Sequence, residues 1–297
     1  MKITGLGEFG LIEKIRKSFK YGPEVIKGIG DDCAVVEFDR KRYMLLTCDM
    51  IIEGVDFLPA EKPFLVGRKA LAVSISDIAA CAGLPGYALV SMGLPKNTEV
   101  KYVEEIIKGM LSLSGKYKIN IVGGDLSRSE KLVIDVSMTG FVEKKNLVLR
   151  NGAKKGDMIF VTGNLGGSIR GKHLRFGPRV EEARYLVRNF KVNSMIDISD
   201  GLLQDLGHIL KDSKVGCLIY EGLLPVSKEA RSLDEVLSMG EDFELLFTMS
   251  NREGRKLIKS NKDFTFIGEI TQAKAGLTFV DNKGKEKKLK PAGFSHF

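Results

Sequence analysis

The sequence predicts an α/β protein of the α+β-like kind, folded as two domains. Three observations carry this: strand-like runs follow one another directly in the first half, turn formers crowd into "LRNGAKKGD" at 149–157, and a fresh strand–helix alternation starts after them. The first half lacks the regular strand–helix–strand order of a doubly wound parallel sheet. The boundary is set at 148/149, giving domains 1–148 and 149–297, and 297 residues leave room for two cores.

Taken in order, residues 8–20 place Phe9, Ile12, Ile15 and Phe19 on one face of an amphipathic helix. Strands are expected at "CAVVEF" and "YMLLTCD", then an alanine-rich helix from Pro63 to Cys81, a strand "YALVSMGL", and a helix from Thr98 to Lys116. "KINIVGG" and "KLVIDVSMTGFV" follow as strands. Beyond the boundary come "MIFVTG", a helix, "SMIDIS", a helix and "GCLIY". The lysine-rich "DNKGKEKKLK" at 281–290 reads as an edge hairpin beside "GLTFV", its lysines guarding an open strand edge. That reading of the +8 net charge is preferred to nucleic-acid binding.

Composition excludes several classes. With 43% hydrophobic and 28% charged residues the chain is neither disordered nor fibrous, and its longest apolar run is broken by Asp77, so no membrane span is expected. The start lacks a basic head followed by an apolar core, which points to the cytoplasm. Four cysteines (Cys33, Cys48, Cys81, Cys217) are widely spaced without a C-x-x-C pair, and are expected reduced and mostly buried. "GLGEFG" matches G-x-G-x-x-G, but no strand precedes it, and the P-loop pattern is absent.

The informative pattern is a set of aspartates at the edges of apolar segments: Asp31 and Asp32 in "GIGDDCAVV", Asp49, Asp77, Asp125, and Asp197 with Asp200 in "MIDISDGL". Any one could be a cap or turn former. Converging on one cavity, they would repel each other unless a hard divalent cation held them, and magnesium with phosphate as its other ligand fits carboxylate oxygen. Three histidines without helical pairing argue against zinc or iron. "GGD" at 123–125 could admit a phosphate to the backbone; "GNLGGS" at 163–168 reads as a tight turn. Arg150 in the interdomain loop could grip phosphate or be solvated.

"GEFGLIEKI", "GIGDDCAVV", "TCDMIIEGVDF", "KALAVSISDIAACAG", "IVGGDLSRS", "DISDGLLQDLGHI", "GEDFELLFT" and the ending "GFSHF" resemble, in order and over nearly the whole chain, the thiamine-monophosphate kinase family. The resemblance implies a fold like that of aminoimidazole ribonucleotide synthetase, with N-terminal domains forming a β-barrel across a homodimer. It implies Mg²⁺-dependent transfer of a phosphoryl group from ATP to thiamine monophosphate, with several magnesium ions, K⁺ left open, and no nucleic-acid or membrane partner. By motif position it assigns Asp32, Thr47, Asp49, Asp77, Asp125, Asp197 and Asp200 to metal. Gly124, Asp125, Arg150 and Ser199 fall to the nucleotide, and Asp56, Glu241 and Phe294 to the thiamine side. Three positions depart from the family pattern: Asp56 stands where histidine is usual, Cys48 where a hydroxyl is usual, and Met239 where glycine is usual. No residue is assigned as a catalytic base, because the acceptor phosphate is already ionised. Selenophosphate synthetase would want a reactive N-terminal cysteine, and the hydrogenase-maturation relative a C-terminal cysteine tail; neither is here.

Overall fold

The computed structural model describes residues 2–260 and 263–297. Two sheets organise the chain. The first carries β1 (Val25–Lys27), β2 (Ala34–Glu37), β3 (Arg42–Ile52), β4 (Leu84–Leu94), β5 (Asn120–Arg128) and β6 (Val133–Glu143), in the order β1-β2-β3-β6-β4-β5. Only β4 and β5 pair in parallel. Helices α1 (Glu8–Arg16), α2 (Pro63–Ala80) and α3 (Val100–Tyr117) accompany it.

The second sheet carries β7 (Asp157–Thr162), β8 (Val192–Asp197), β9 (Val215–Tyr220), β10 (Leu245–Ser250), β11 (Phe264–Gln272), β12 (Leu277–Val280) and β13 (Glu286–Leu289), in the order β13-β12-β9-β11-β7-β10-β8. Its helices are α4 (Lys172–Arg175), α5 (Val180–Asn189), α6 (Leu202–Ser213), α7 (Leu233–Ser238) and α8 (Asn251–Ile258). The mixed α/β class and the succession of strands in the first half are therefore as expected, and β12–β13 is the expected lysine-rich edge hairpin. No closed barrel forms among the described residues.

Helix α2 holds the halves together. It packs on β3, β6 and β4 of the first sheet and on β8 of the second, and its buried residues lie all round it, as a helix between two layers requires. Ser74 and Ser76, two steps apart and so about 200° apart around the axis, face different sheets. Ser74 donates to Asp49 on β3, while Ser76 donates to Asp197 on β8.

Two elements differ from expectation. Helix α1 stops at Arg16 instead of Lys20, and its apolar stripe is not buried: Ile12, Ile15 and Phe19 are exposed. Periodicity reports a face, not what covers it. "GGD", expected to admit a phosphate to the backbone, lies inside β5. A β-carbon on Gly124 would come within 1.7 Å of the Val90 carbonyl oxygen, so this glycine lets β5 approach β4 past an irregularity in register. Three cysteines are buried and Cys48 is exposed.

Candidate metal and phosphate site

Asp32 follows the turn before β2, Asp77 lies near the end of α2, and Asp197 ends β8. One carboxylate oxygen of each lies within 4.8 Å of the others. Residues 45 and 120 positions apart in sequence thus meet where the two halves touch. Thr47 of β3 donates its hydroxyl to Asp77, joining Asp49 and its Ser74 donor to the same cluster. Neutral hydroxyls thus serve Asp49, Asp77 and Asp197, and a hydroxyl cannot cancel a charge.

Arg150 is the cation of this group. Its guanidinium donates to Asp32 at 2.7 Å, and its backbone N–H reaches the Asp31 carboxylate at 3.3 Å. Lys27 lies 3.1 Å from Asp31. The adjacent acids of "GIGDDCAVV" are therefore compensated differently. Asp31 faces Lys27 and a backbone amide, and Asp32 faces Arg150 with one oxygen while its Oδ2, buried, has no partner among the described residues.

Burial is the main force on these groups. It pushes the carboxyls of Asp31, Asp49 and Asp200 up to about 6, seconded for Asp31 by the charge of Asp32 and for Asp200 by Glu8. Asp197 goes up to about 8 through burial and Asp32, and Asp77 well above its ordinary value through burial, Asp49 and Asp197. Burial lowers the charge of Arg150, but Asp32 outweighs it and holds the guanidinium protonated. An orphaned carboxylate oxygen, converging hard oxygen donors and excess negative charge fit a divalent cation such as Mg²⁺.

The linkage has a definite sign. A raised carboxyl means that the native protein holds more protons than the unfolded chain between about pH 4 and 8, so metal-free stability falls as pH rises through that window. A cation needs the deprotonated form, so its stabilisation grows over the same range. Melting temperatures with Mg²⁺ and with chelator should diverge as pH rises from about 5.5 to 8. A gap that stays constant would speak against a cation in this cluster.

Beside the cluster opens a cavity of about 490 Å³, lined by Asp49, Asp56, Ser199, Asp200, Glu241 and Phe294 among others. All six belong to the sequence-predicted set. Glu241 sits in left-handed backbone (φ 66°), as does Phe243 (φ 49°), and both are pinned: their N–H groups donate to Ser199 and Ile198 carbonyls at 2.6 and 2.8 Å. Met239 is ordinary extended backbone (φ −76°), so a side chain there needs no glycine. The Phe294 N–H donates to the Asp200 carbonyl at 2.9 Å. Gly293 passes so near that oxygen that a β-carbon would lie 2.3 Å from it.

Asp56 lines the cavity, but its carboxylate accepts the Ile52 N–H at 2.7 Å, closing the turn after β3. The loop "GNLGGS" is tied to the chain near Val226 by a β-bridge at Leu165, and its Gly166 N–H donates to the protein's own Asp242 at 2.9 Å. Gly124 and Asp125 are not brought to the cluster within one chain. Met50, Asp135, Ser91 and Asp125 stand in register across β3, β6, β4 and β5, hence on one face, and that face is opposite to the one bearing Asp49. Cys48 also lies on the outward face, away from the Asp77 cluster.

Sequence reasoning missed Ser74, Ser76, Lys69 and Asp205. Asp205 accepts the N–H groups of Asp200 and Gly201 at 3.1 and 3.0 Å and fixes the entry to α6. A signal for Lys69 existed: it is a charge in an apolar helix, seven residues before Ser76 and so on the same side.

Comparison with known proteins agrees with this geometry. Residues 30–142 match the family model of AIR synthase related protein, N-terminal domain, and residues 135–280 that of the C-terminal domain. Thiamine-monophosphate kinase of Buchnera aphidicola subsp. Schizaphis graminum is 38% identical over 98% of both chains, and that of Aquifex aeolicus 36% over the whole of both. The solved structure of AaThiL complexed with AMPPCP and TMP superposes with a TM-score of 0.88 at 36% identity, covering 100% of this chain and 99% of that one. With full-length likeness in sequence and in fold, and Asp32, Asp77 and Asp197 of its motifs meeting where the two halves touch, the chain belongs to the thiamine-monophosphate kinase family.

Proposed function

We propose that this cleft transfers the terminal phosphoryl group of ATP to the phosphate of thiamine monophosphate, giving thiamine diphosphate. The observation that carries the reading is the meeting of Asp32, Asp77 and Asp197 from both halves of the chain, with a buried oxygen left over, beside a cavity with acidic and aromatic walls. Asp32, Thr47, Asp49, Asp77, Asp197 and Asp200 would hold magnesium. Bound there, it neutralises phosphate oxygens as a Lewis acid.

The chain's own residues do the rest. Arg150 keeps its charge beside the cluster and, with Ser199 at the cavity wall, faces the nucleotide. Glu241 and Phe294 receive the thiamine end, a carboxylate and a ring suited to a cationic heteroaromatic. The two phosphates approach in line without a covalent intermediate, and positioning supplies most of the rate. Incubation with ATP, Mg²⁺ and thiamine monophosphate should yield thiamine diphosphate, while an aminoimidazole precursor or selenide should not be turned over. Failure with thiamine monophosphate refutes the reading. The domains are taken as 1–148 and 149–297, the break lying between β6 and β7.

The working unit in this reading is a homodimer. The outward face of the first sheet exposes Met50, Tyr87 and Leu89, three large apolar side chains on one side of neighbouring strands. Asp125 stands on it, so a second copy covering the face lets Asp125 of one chain serve the metal of the other. Co-expressing Asp49→Asn and Asp125→Asn chains tests this. Acting across the dimer, the two lesions fall in one site, and purified heterodimers keep about half of wild-type turnover. Acting within one chain, they spoil both sites, and activity is lost.

A further inference from the structure

Lys69 is 1% exposed, as large a side chain as any that is fully buried among the described residues. A lysine is almost never buried without partners, because the ammonium loses its water. Its Nζ donates to the Asp56 carbonyl at 2.6 Å and forms an ion pair with the Glu241 carboxylate. These partners belong to opposite halves: Asp56 closes the turn after β3, and Glu241 belongs to the strained segment before β10. Among the described residues lining the cavity, Lys69 is the one lysine or arginine, and the other charged walls are mostly acids.

We infer that Lys69 is a positioning residue for the thiamine end of the substrate, one ammonium that orients the Glu241 carboxylate and sets its distance from the turn at Asp56. The inference rests on the functional reading above. Two observations separate it from mere stabilisation. The Glu241 side chain keeps 26% of its surface exposed, so it is paired on one side and open to the cavity on the other. The Asp56 carboxylate is already committed to the Ile52 N–H, so Lys69 grips a turn that is internally fixed, and a fixed turn defines a distance. Without the ammonium, Glu241 swings toward solvent from its left-handed backbone, and a cationic ring loses its counter-charge.

The test uses the full-length enzyme with Lys69→Met, which keeps the stem and removes the charge, and Lys69→Arg, which keeps the charge. The expected result for Lys69→Met is a KM for thiamine monophosphate raised about tenfold or more, with the KM for ATP within about twofold of wild type. Lys69→Arg recovers part of the difference. In a Glu241→Gln background Lys69→Met adds less than about threefold, because it acts through that carboxylate. An unchanged KM for thiamine monophosphate in Lys69→Met, equal rises in both KM values, or full additivity with Glu241→Gln each overturns the inference. Should Lys69→Met not fold, Glu241→Gln alone decides, since the inference requires it to raise the same KM. A wild-type enzyme that forms no thiamine diphosphate sinks the functional reading, and this one with it.

Discussion

Asp197→Asn should lower turnover by about a thousandfold or more while making the metal-free protein more stable. The two halves of this result come from one cause. Asp197 is buried beside Asp32, Asp49 and Asp77, and the neutral Ser76 hydroxyl donates to it. An asparagine carbonyl accepts that hydroxyl equally well, so the shape survives and the repulsion falls. What disappears is a charged ligand for the cation. Melting curves in chelator should therefore shift upward, and the gain from adding Mg²⁺ should shrink. A variant that keeps wild-type turnover, or that melts lower than wild type in chelator, would contradict the assignment.

Arg150→Met should do the reverse, destabilising the free enzyme by about 3–5 kcal/mol, because it leaves the Asp32 carboxylate buried and without its cation. For a chain of this size that is a drop of order 10 °C in melting temperature. Adding Asp32→Asn to the same chain should recover much of the loss, since the stranded charge is then gone. If the double variant is no better than Arg150→Met, the arginine serves by packing and not by charge. Turnover should stay low in both, as each lacks part of the phosphate site.

Much of this was legible in the sequence, and the gaps have physical causes. Apolar period located β3, α2, β4 and β6 because those segments are buried and pattern follows burial. The aspartates were legible as a set because each interrupts such a segment. The motifs group Asp125 with the others, but within one chain the sheet sets it on the face opposite Asp49. Which side of a strand a residue faces relative to a distant one depends on register across three neighbours, and nothing local states that. The hydroxyls of Ser74 and Ser76 were passed over because a serine in an apolar helix signals nothing until the helix is known to lie between two sheets. Lys69 stands out as a charge in an apolar helix, but its partners at Asp56 and Glu241 lie on distant segments that nothing local names, and the period over 8–20 states a face without saying that Phe9 packs on the His208 ring while Ile12, Ile15 and Phe19 stay exposed.

Helix α2 presents Lys69, Ser74, Ser76 and Asp77 within nine positions, to partners on both sides. These contacts depend on one unbroken helical register. One residue inserted between Lys69 and Ser74 would rotate everything beyond it by about 100°, uncoupling the Asp77 carboxylate, the Ser74 and Ser76 donors and the Lys69–Glu241 pair in one stroke. The helix can therefore change by exchange of side chains but not by slippage along its axis.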